Sequence, residues 1–295
     1  MHTLLIVGLG DIARRTLPAL LAKYRVVALV REKRAEASVV AMRMHEIQGD
    51  LDDPASLAPL AGLATCVVHL APPPDHGRLD TRTRNLIGAL SGRPMLARDA
   101  GRPDRLVYVS TTGVYGDCGG ALVDETRLVN PRTERAQRRI DAEEQLLDWG
   151  RDQGVAVSIL RVPGIYAADR LPVERVRKGT PVLAADDDVY TNHIHADDLA
   201  RIVFATLERG GAGEIYNASD DSEMKMGEWF DLIAERAGLA RPPQIARSAA
   251  ASVIPPGLLS FMSESRRISN AKMKERLGIV LQYPTVHAGL PFRIE

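Results

Sequence analysis

The chain has no net charge: 38 Lys and Arg balance 38 Asp and Glu. No overall field therefore draws it to nucleic acid or to an anionic membrane surface. Cysteine is scarce. Cys66 and Cys118 stand at no framework spacing, which excludes a disulfide scaffold and suits a reducing compartment. No apolar run approaches the ~20 residues that span a bilayer. Met1-His2-Thr3 leads straight into a strand-like segment, leaving no basic region and no room for a signal peptide, so a cytoplasmic location is expected. Internal repeats and low-complexity stretches are also lacking. A length of 295 residues allows one large α/β unit or two lobes.

Apolar runs alternate with amphipathic stretches through the first half. Strands are expected near Leu4–Val7, Arg25–Val30, Arg43–Ile47, Thr65–Leu70, Arg105–Ser110 and Ala156–Arg161. Such near-continuous apolar runs suit a parallel sheet buried on both faces. Helices are expected at Asp11–Lys23, Ser56–Leu60, Arg78–Ser91 and Pro131–Gln153. The pattern predicts a doubly wound α/β fold: a dinucleotide-binding domain over residues 1–165, with its sheet completed by 189–217. Residues 166–188 and 218–295 are expected to form a smaller substrate lobe. A helix at Ala196–Glu208, a strand at Glu214–Asn217 and a helix at Lys225–Ala237 fall in this looser second part.

The first strand runs into Gly8-Leu9-Gly10-Asp11-Ile12-Ala13 and then a helix. A helix N-terminus offers unpaired N–H groups and about half a positive charge, and glycines let a pyrophosphate approach. Gly8 would make the turn, Gly10 would admit the phosphate, and Ala13 would pack helix on strand. Arg31 ends the second strand, Lys33 and Arg34 follow it, and Arg14 and Arg15 lie in the first helical turn. Arginine binds phosphate bidentately, so this cluster favours the 2′-phosphate of NADP. Glu32 could instead take the ribose hydroxyl of NAD, and a solvated loop is the plainer alternative.

Further motifs follow in order: Gly49-Asp50-Leu51, His69-Leu70-Ala71, Leu106-Val-Tyr-Val-Ser-Thr-Thr-Gly-Val-Tyr-Gly116, Leu160-Arg-Val-Pro-Gly-Ile-Tyr166, Asn192–Leu199 and Gly213–Ser219. Together they resemble the extended short-chain dehydrogenase/reductases, the NAD(P)-dependent sugar epimerase/dehydratase group. The resemblance implies that Asp50 and Leu51 contact adenine and that Leu70 and Ala71 lie beside the cofactor. It implies a catalytic hydroxyl at Thr111 with Thr112 adjacent, and a loop bearing Pro163 and Ile165 that flanks the nicotinamide.

One family feature is missing. The family's Tyr and Lys stand four residues apart on one helix face, as i,i+4 spacing requires. Here no Tyr lies between Tyr115 and Tyr166, and no Lys between Lys33 and Lys178. Arg135 and Arg139 take the two positions, a pattern that resembles the atypical members of the group. Arginine stays protonated, so it is a poor acid but a good binder of anions and hydroxyls. Arg139 could keep the cofactor role of the Lys and Arg135 could orient a carboxylate or phosphate. A surface helix laced with Glu–Arg pairs is the alternative. Tyr115, Tyr166, and less readily Asp124 or Glu125, are candidate surrogate acids. His193, His195, Asp197 and Asp198 suggest structural roles rather than a metal site, for want of a third ligand of suitable geometry. Cys118 has no clear basic partner. Arg266 or Arg267 in the tail could meet an anionic ligand group. The segments 78–91 and 131–153 are those that relatives use to form homodimers.

Two functions remain in view. One is an NADP-dependent oxidoreductase or epimerase-like enzyme acting on a nucleotide sugar or another small polar carbonyl or hydroxyl compound. The other is a non-catalytic NADP(H)-binding redox sensor.

Overall fold

A computed structural model describes residues 2–32, 44–92 and 101–294. The apolar runs form a seven-stranded sheet. Its strands are β1 (Thr3–Val7), β2 (Arg25–Val30), β3 (His45–Gln48), β4 (Cys66–His69), β5 (Arg105–Thr111), β6 (Ala156–Val162) and β7 (Glu214–Asn217). They stand in the order β7-β6-β5-β4-β1-β2-β3, every neighbouring pair parallel. The order reverses at β1, between β2 and β4. A crevice opens at such a switch point, beyond the carboxyl ends of the strands.

Alternation along each strand divides the core in two. Leu4 and Ile6 pack with α1 (Asp11–Leu21) and with Ala196–Val203 of a later helix on one face. Leu5 and Val7 pack on the other face with α2 (Thr81–Ser91) and α3 (Glu134–Gln153). The later helix is α4 (Ala196–Arg209), followed by α5 (Met226–Ala237) and α6 (Ala271–Leu277). A third apolar cluster draws Tyr166, Val176, Val182, Trp229, Phe230 and Met262 together, away from the sheet. Met273 and Leu277 of α6 instead join the sheet core.

Capping explains where the helices depart from expectation. The helix expected from Pro131 begins at Glu134, because the Thr133 side chain accepts a hydrogen bond from Ala136 N at 3.2 Å. The one expected from Arg78 begins at Thr81, where buried Asp80 accepts from Thr83 N at 2.9 Å. Residues Pro54–Leu60 form a 3₁₀ helix rather than an α-helix. The strand expected from Arg43 begins at His45. Arg43, like Lys33 and Arg34, lies outside the described residues.

Candidate functional site

The β1–α1 turn is shaped by two glycines that differ in kind. Gly8 has φ +96°, and a Cβ there would lie 2.4 Å from Ala71 N and 2.7 Å from Ala71 Cα. The turn is thus pressed against the end of β4, which only glycine allows. Gly10 has φ −83° and no side-chain cap bonds to the helix it precedes. A Cβ on Gly10 would meet nothing within 4 Å. Open space therefore lies before the first N–H groups of α1, the arrangement that receives a phosphate. Asp11 begins α1 and Ile12 and Ala13 are buried behind it.

A cavity of about 840 Å³ extends from this turn over the ends of β2 and β3. Gly8, Leu9, Arg31, Glu32, Asp50, Leu51 and Ala71 all line it. Arg82 lines it as well, which the sequence did not suggest. Its guanidinium donates to both oxygens of Asp52, at 2.9 and 2.6 Å, and to the carbonyls of Pro72 and Pro73. Arg31 and Glu32 face the same space, so both the phosphate and the hydroxyl alternatives remain open to a ribose. Arg15 does not face it. That side chain donates to Asp11, Asp169 and Asp197, because its place on α1 turns it toward α4. Asp11 is in turn held by Arg170 at 2.7 Å. Leu70 is half-buried against the sheet core and is absent from the cavity lining.

A second cavity, of about 320 Å³, lies at the ends of β5 and β6. Thr111, Thr112, Arg135, Arg139 and Pro163 meet there, and Arg266 joins them. Thr111 Oγ1 accepts from Gly113 N at 3.2 Å, which leaves its own proton available to a ligand. Arg139 donates to the Tyr108 hydroxyl at 2.9 Å and to Val109 O at 3.0 Å. It is anchored to the strand that carries Thr111. The cation also helps to hold neighbouring His69 neutral: burial first, then Arg139, pulls its pKa down to about 3. Ile165 packs against the sheet core and is not in the lining.

Beneath Thr111 runs a buried network. Glu143 of α3 accepts from Ser110 Oγ at 2.5 Å and from Arg161 Nη2 at 2.7 Å. Arg161 lies 4.8 Å from the Tyr115 ring centroid, and Tyr115 donates to Asn217 Oδ1 at 2.8 Å. The network ties β5, α3, β6 and β7 together and fixes the strand end that bears the threonines.

That network is why the structure removes Tyr115 from the cavity. It is 1% exposed, and burial pushes its hydroxyl pKa up. Tyr166 is equally enclosed, at 2%, and donates to Thr285 O. Asp124 and Glu125 lie in a separate cleft with Glu214 and Lys272. The tyrosine that does line the Thr111 cavity is Tyr190, from a two-residue strand that no periodicity announces. Arg267, the alternative to Arg266, donates to Gly120 O and to Glu223. His195 caps α4 by accepting from Asp197 N at 3.2 Å, and His193 packs 4.4 Å from the Trp229 ring. Asp198 is buried, accepting from Gln282 N and Tyr283 N. Among the described residues no group of three or more His, Cys, Asp or Glu could hold a metal, and no helix is long and apolar enough to cross a membrane.

A parallel sheet of this order, with a glycine turn at its switch point, defines a Rossmann-type α/β protein. Residues 4–219 match the NAD dependent epimerase/dehydratase family, and the chain belongs to that NAD(P)-binding family. It is 29% identical over 207 residues to the GDP-6-deoxy-D-mannose reductase of Pseudomonas aeruginosa, covering 63% of this chain and 68% of that one. It is 29% identical over 266 residues to a 4-hydroxy-2-methyl-3-oxo-4-farnesyl-3,4-dihydroquinoline-1-oxide ketoreductase of Stigmatella aurantiaca, covering 85% and 79%. A functionally unknown conserved protein from Silicibacter pomeroyi superposes with a TM-score of 0.77 at 26% identity, over 98% of this chain and 96% of that one.

Proposed function

We propose that the chain is an NADP-dependent oxidoreductase or epimerase-like enzyme acting on a nucleotide sugar or another small polar carbonyl or hydroxyl compound. One observation carries the reading. Thr111, Thr112, Arg135 and Arg139 share one cavity at the carboxyl ends of the strands, on the edge of the sheet where the glycine turn opens. The open face at Gly10 and the basic Arg31 fit the pyrophosphate and 2′-phosphate of the cofactor. When bound, that cofactor supplies or accepts a hydride at its nicotinamide.

The chain's own groups divide the rest of the work. Backbone N–H groups at Gly10, Asp11 and Ile12 bind the pyrophosphate, with Gly8 and Leu9 shaping the approach. Arg31 meets the 2′-phosphate and Asp50 and Leu51 the adenine, with Ala71 beside the cofactor. Pro163 flanks the nicotinamide, and Arg139 takes the ribose contact that a lysine makes elsewhere. Thr111 donates to the substrate oxygen, aided by Thr112. Tyr190 replaces Tyr115 as the group able to exchange a proton. Residues 166–188 and 218–295, apart from α6 on the sheet core, form the lobe that encloses the substrate. A cytoplasmic homodimer through α2 and α3 belongs to the same reading.

The test is NADPH oxidation with a panel of small carbonyl compounds. Thr111→Ala should abolish turnover and leave NADPH affinity within about twofold, and Tyr190→Phe should cost about 10²–10⁴-fold in rate. Undiminished turnover in Thr111→Ala would refute the placement. The second reading, an NADP(H) sensor without turnover, draws on one fact: Tyr115 and Tyr166 are both enclosed. It predicts tight NADPH binding with no oxidation by any member of the panel.

A further inference from the structure

We propose that the Thr111 cavity takes a small carbonyl compound bearing an anionic group, a carboxylate or phosphate, which Arg135 holds next to the reacting carbon. The inference rests on the oxidoreductase reading and narrows its substrate. Three guanidinium groups, those of Arg135, Arg139 and Arg266, line the cavity, against the single carboxylate of Glu264 among the described lining residues. Glu264 is already engaged, accepting from Arg266 Nη1 at 2.8 Å. Both side chains are 12% exposed, so that pair is largely withdrawn from water. Among the described residues the hydrogen bonds of Arg139 go to neutral oxygens, on Tyr108 and Val109.

Arg135 differs from both in its stacking, although the Glu264 carboxylate also attracts it. Its guanidinium lies 4.3 Å from the centroid of the Phe261 ring. A ring face attracts a cation but brings no opposite charge, and it leaves the N–H groups at the guanidinium edge to a ligand. A cation beside a second and third cation in a partly enclosed site favours an anion strongly. Arginine at this position cannot serve as the acid, but a planar fork matches a carboxylate or phosphate. At about 320 Å³ the cavity lies at the low end of ligand sites. Its charge and size together suit a small oxoacid or a small phosphorylated carbonyl compound.

The full chain is titrated by calorimetry with malonate and, separately, with inorganic phosphate, each with and without NADPH. Wild type should bind one or both in the millimolar range or tighter. Arg135→Gln should weaken that binding by about 10-fold or more, as loss of a charge-assisted contact implies. Arg135→Lys, which keeps the charge, should lose less. Arg276→Gln, exposed on α6, should change nothing. Preference for malonate assigns a carboxylate, and preference for phosphate the other group. The melting temperature of Arg135→Gln checks that the fold is kept, and Arg135→Lys carries the comparison if it is not. Equal binding by wild type and Arg135→Gln overturns the proposal, as does no binding by wild type. Uridine diphosphate binding that is indifferent to Arg135 would also overturn it. Anion binding in a chain that ignores NADPH would instead sink the cofactor reading and leave only the anion site at Arg135 standing.

Discussion

Gly10 and Gly8 stand two residues apart, yet alanine should act on them in opposite ways. At Gly10 the backbone is in the extended region, φ −83° and ψ −162°, which alanine adopts without strain. The added Cβ meets no protein atom within 4 Å. The fold should therefore lose only about 1 kcal/mol, from a poorer helix N-cap. That methyl group would nevertheless occupy the space before the first N–H groups of α1. Displacing a phosphate from several N–H donors should cost about 3 kcal/mol or more, a loss of at least ~100-fold in NADPH affinity. At Gly8, φ is +96° and the Cβ would fall 2.4 Å from Ala71 N, 2.7 Å from Ala71 Cα and 2.8 Å from Leu70 C. All three are backbone atoms that cannot swing aside. Gly8→Ala should cost several kcal/mol of stability, roughly 3 or more, from strain and overpacking together. The assays are a urea melt and a fluorescence titration with NADPH on each variant. If Gly10→Ala bound NADPH like wild type, the glycine turn would not be the phosphate site. If it unfolded as readily as Gly8→Ala, the reading of its surroundings would be wrong.

Two further predictions concern buried carboxyl groups. Glu143→Gln leaves Arg161 without its anionic partner, in a pair whose side chains are only 5% and 3% exposed. It should lower stability by about 3–5 kcal/mol in a urea melt, and a loss below about 1 kcal/mol would show that the pair does not hold the strand ends. Asp220 is 3% exposed, and burial raises its pKa from an ordinary 3.8 to about 7, against the lowering effect of bonds from Ser222. The folded chain keeps a proton that the unfolded chain has lost, so stability should fall as pH rises from about 4 to about 7, by something on the order of 4 kcal/mol. Asp220→Asn removes that dependence. Its stability relative to wild type should be greater at pH 8 than at pH 5, and an equal difference at both pH values would contradict the account.

The centre of the sheet was legible because strands such as Thr3–Val7 and Arg25–Val30 are short, nearly unbroken apolar runs. By contrast, β3 is His-Glu-Ile-Gln and β7 Glu-Ile-Tyr-Asn. Arg25–Val30 and Glu214–Asn217 fall where the residues place them. Helix starts were less so, since Asp80 and Thr133 set them through side-chain bonds that periodicity does not report. The gathering of Thr111, Arg135 and Arg139 in one cavity was implied by the family resemblance, not by periodicity. Arg15 did not follow. Its nearness to the glycines in sequence suggested phosphate, but a helix turns about 100° per residue and carries it to Asp169 and Asp197. Tyr190 was hidden for another reason. It sits in a polar stretch, Asp186-Asp187-Asp188-Val189-Tyr190-Thr191-Asn192, and reaches the cavity only because Thr191 and Tyr190 pair with Met224 and Lys225, far along the chain. The third apolar cluster is built from residues between 166 and 290, and no single window of sequence shows it.

On the proposed function, the crevice lined by Gly8, Leu9 and Arg31 holds NADP(H). The most direct test is a parallel fluorescence titration of the purified chain with NADPH and NADH. Micromolar NADPH binding, with NADH weaker by about 10-fold or more, is the result that the proposed contact of Arg31 with the 2′-phosphate requires. Tighter binding of NADH would hand the ribose to Glu32. Failure of both cofactors to bind at tens of micromolar would contradict the account outright.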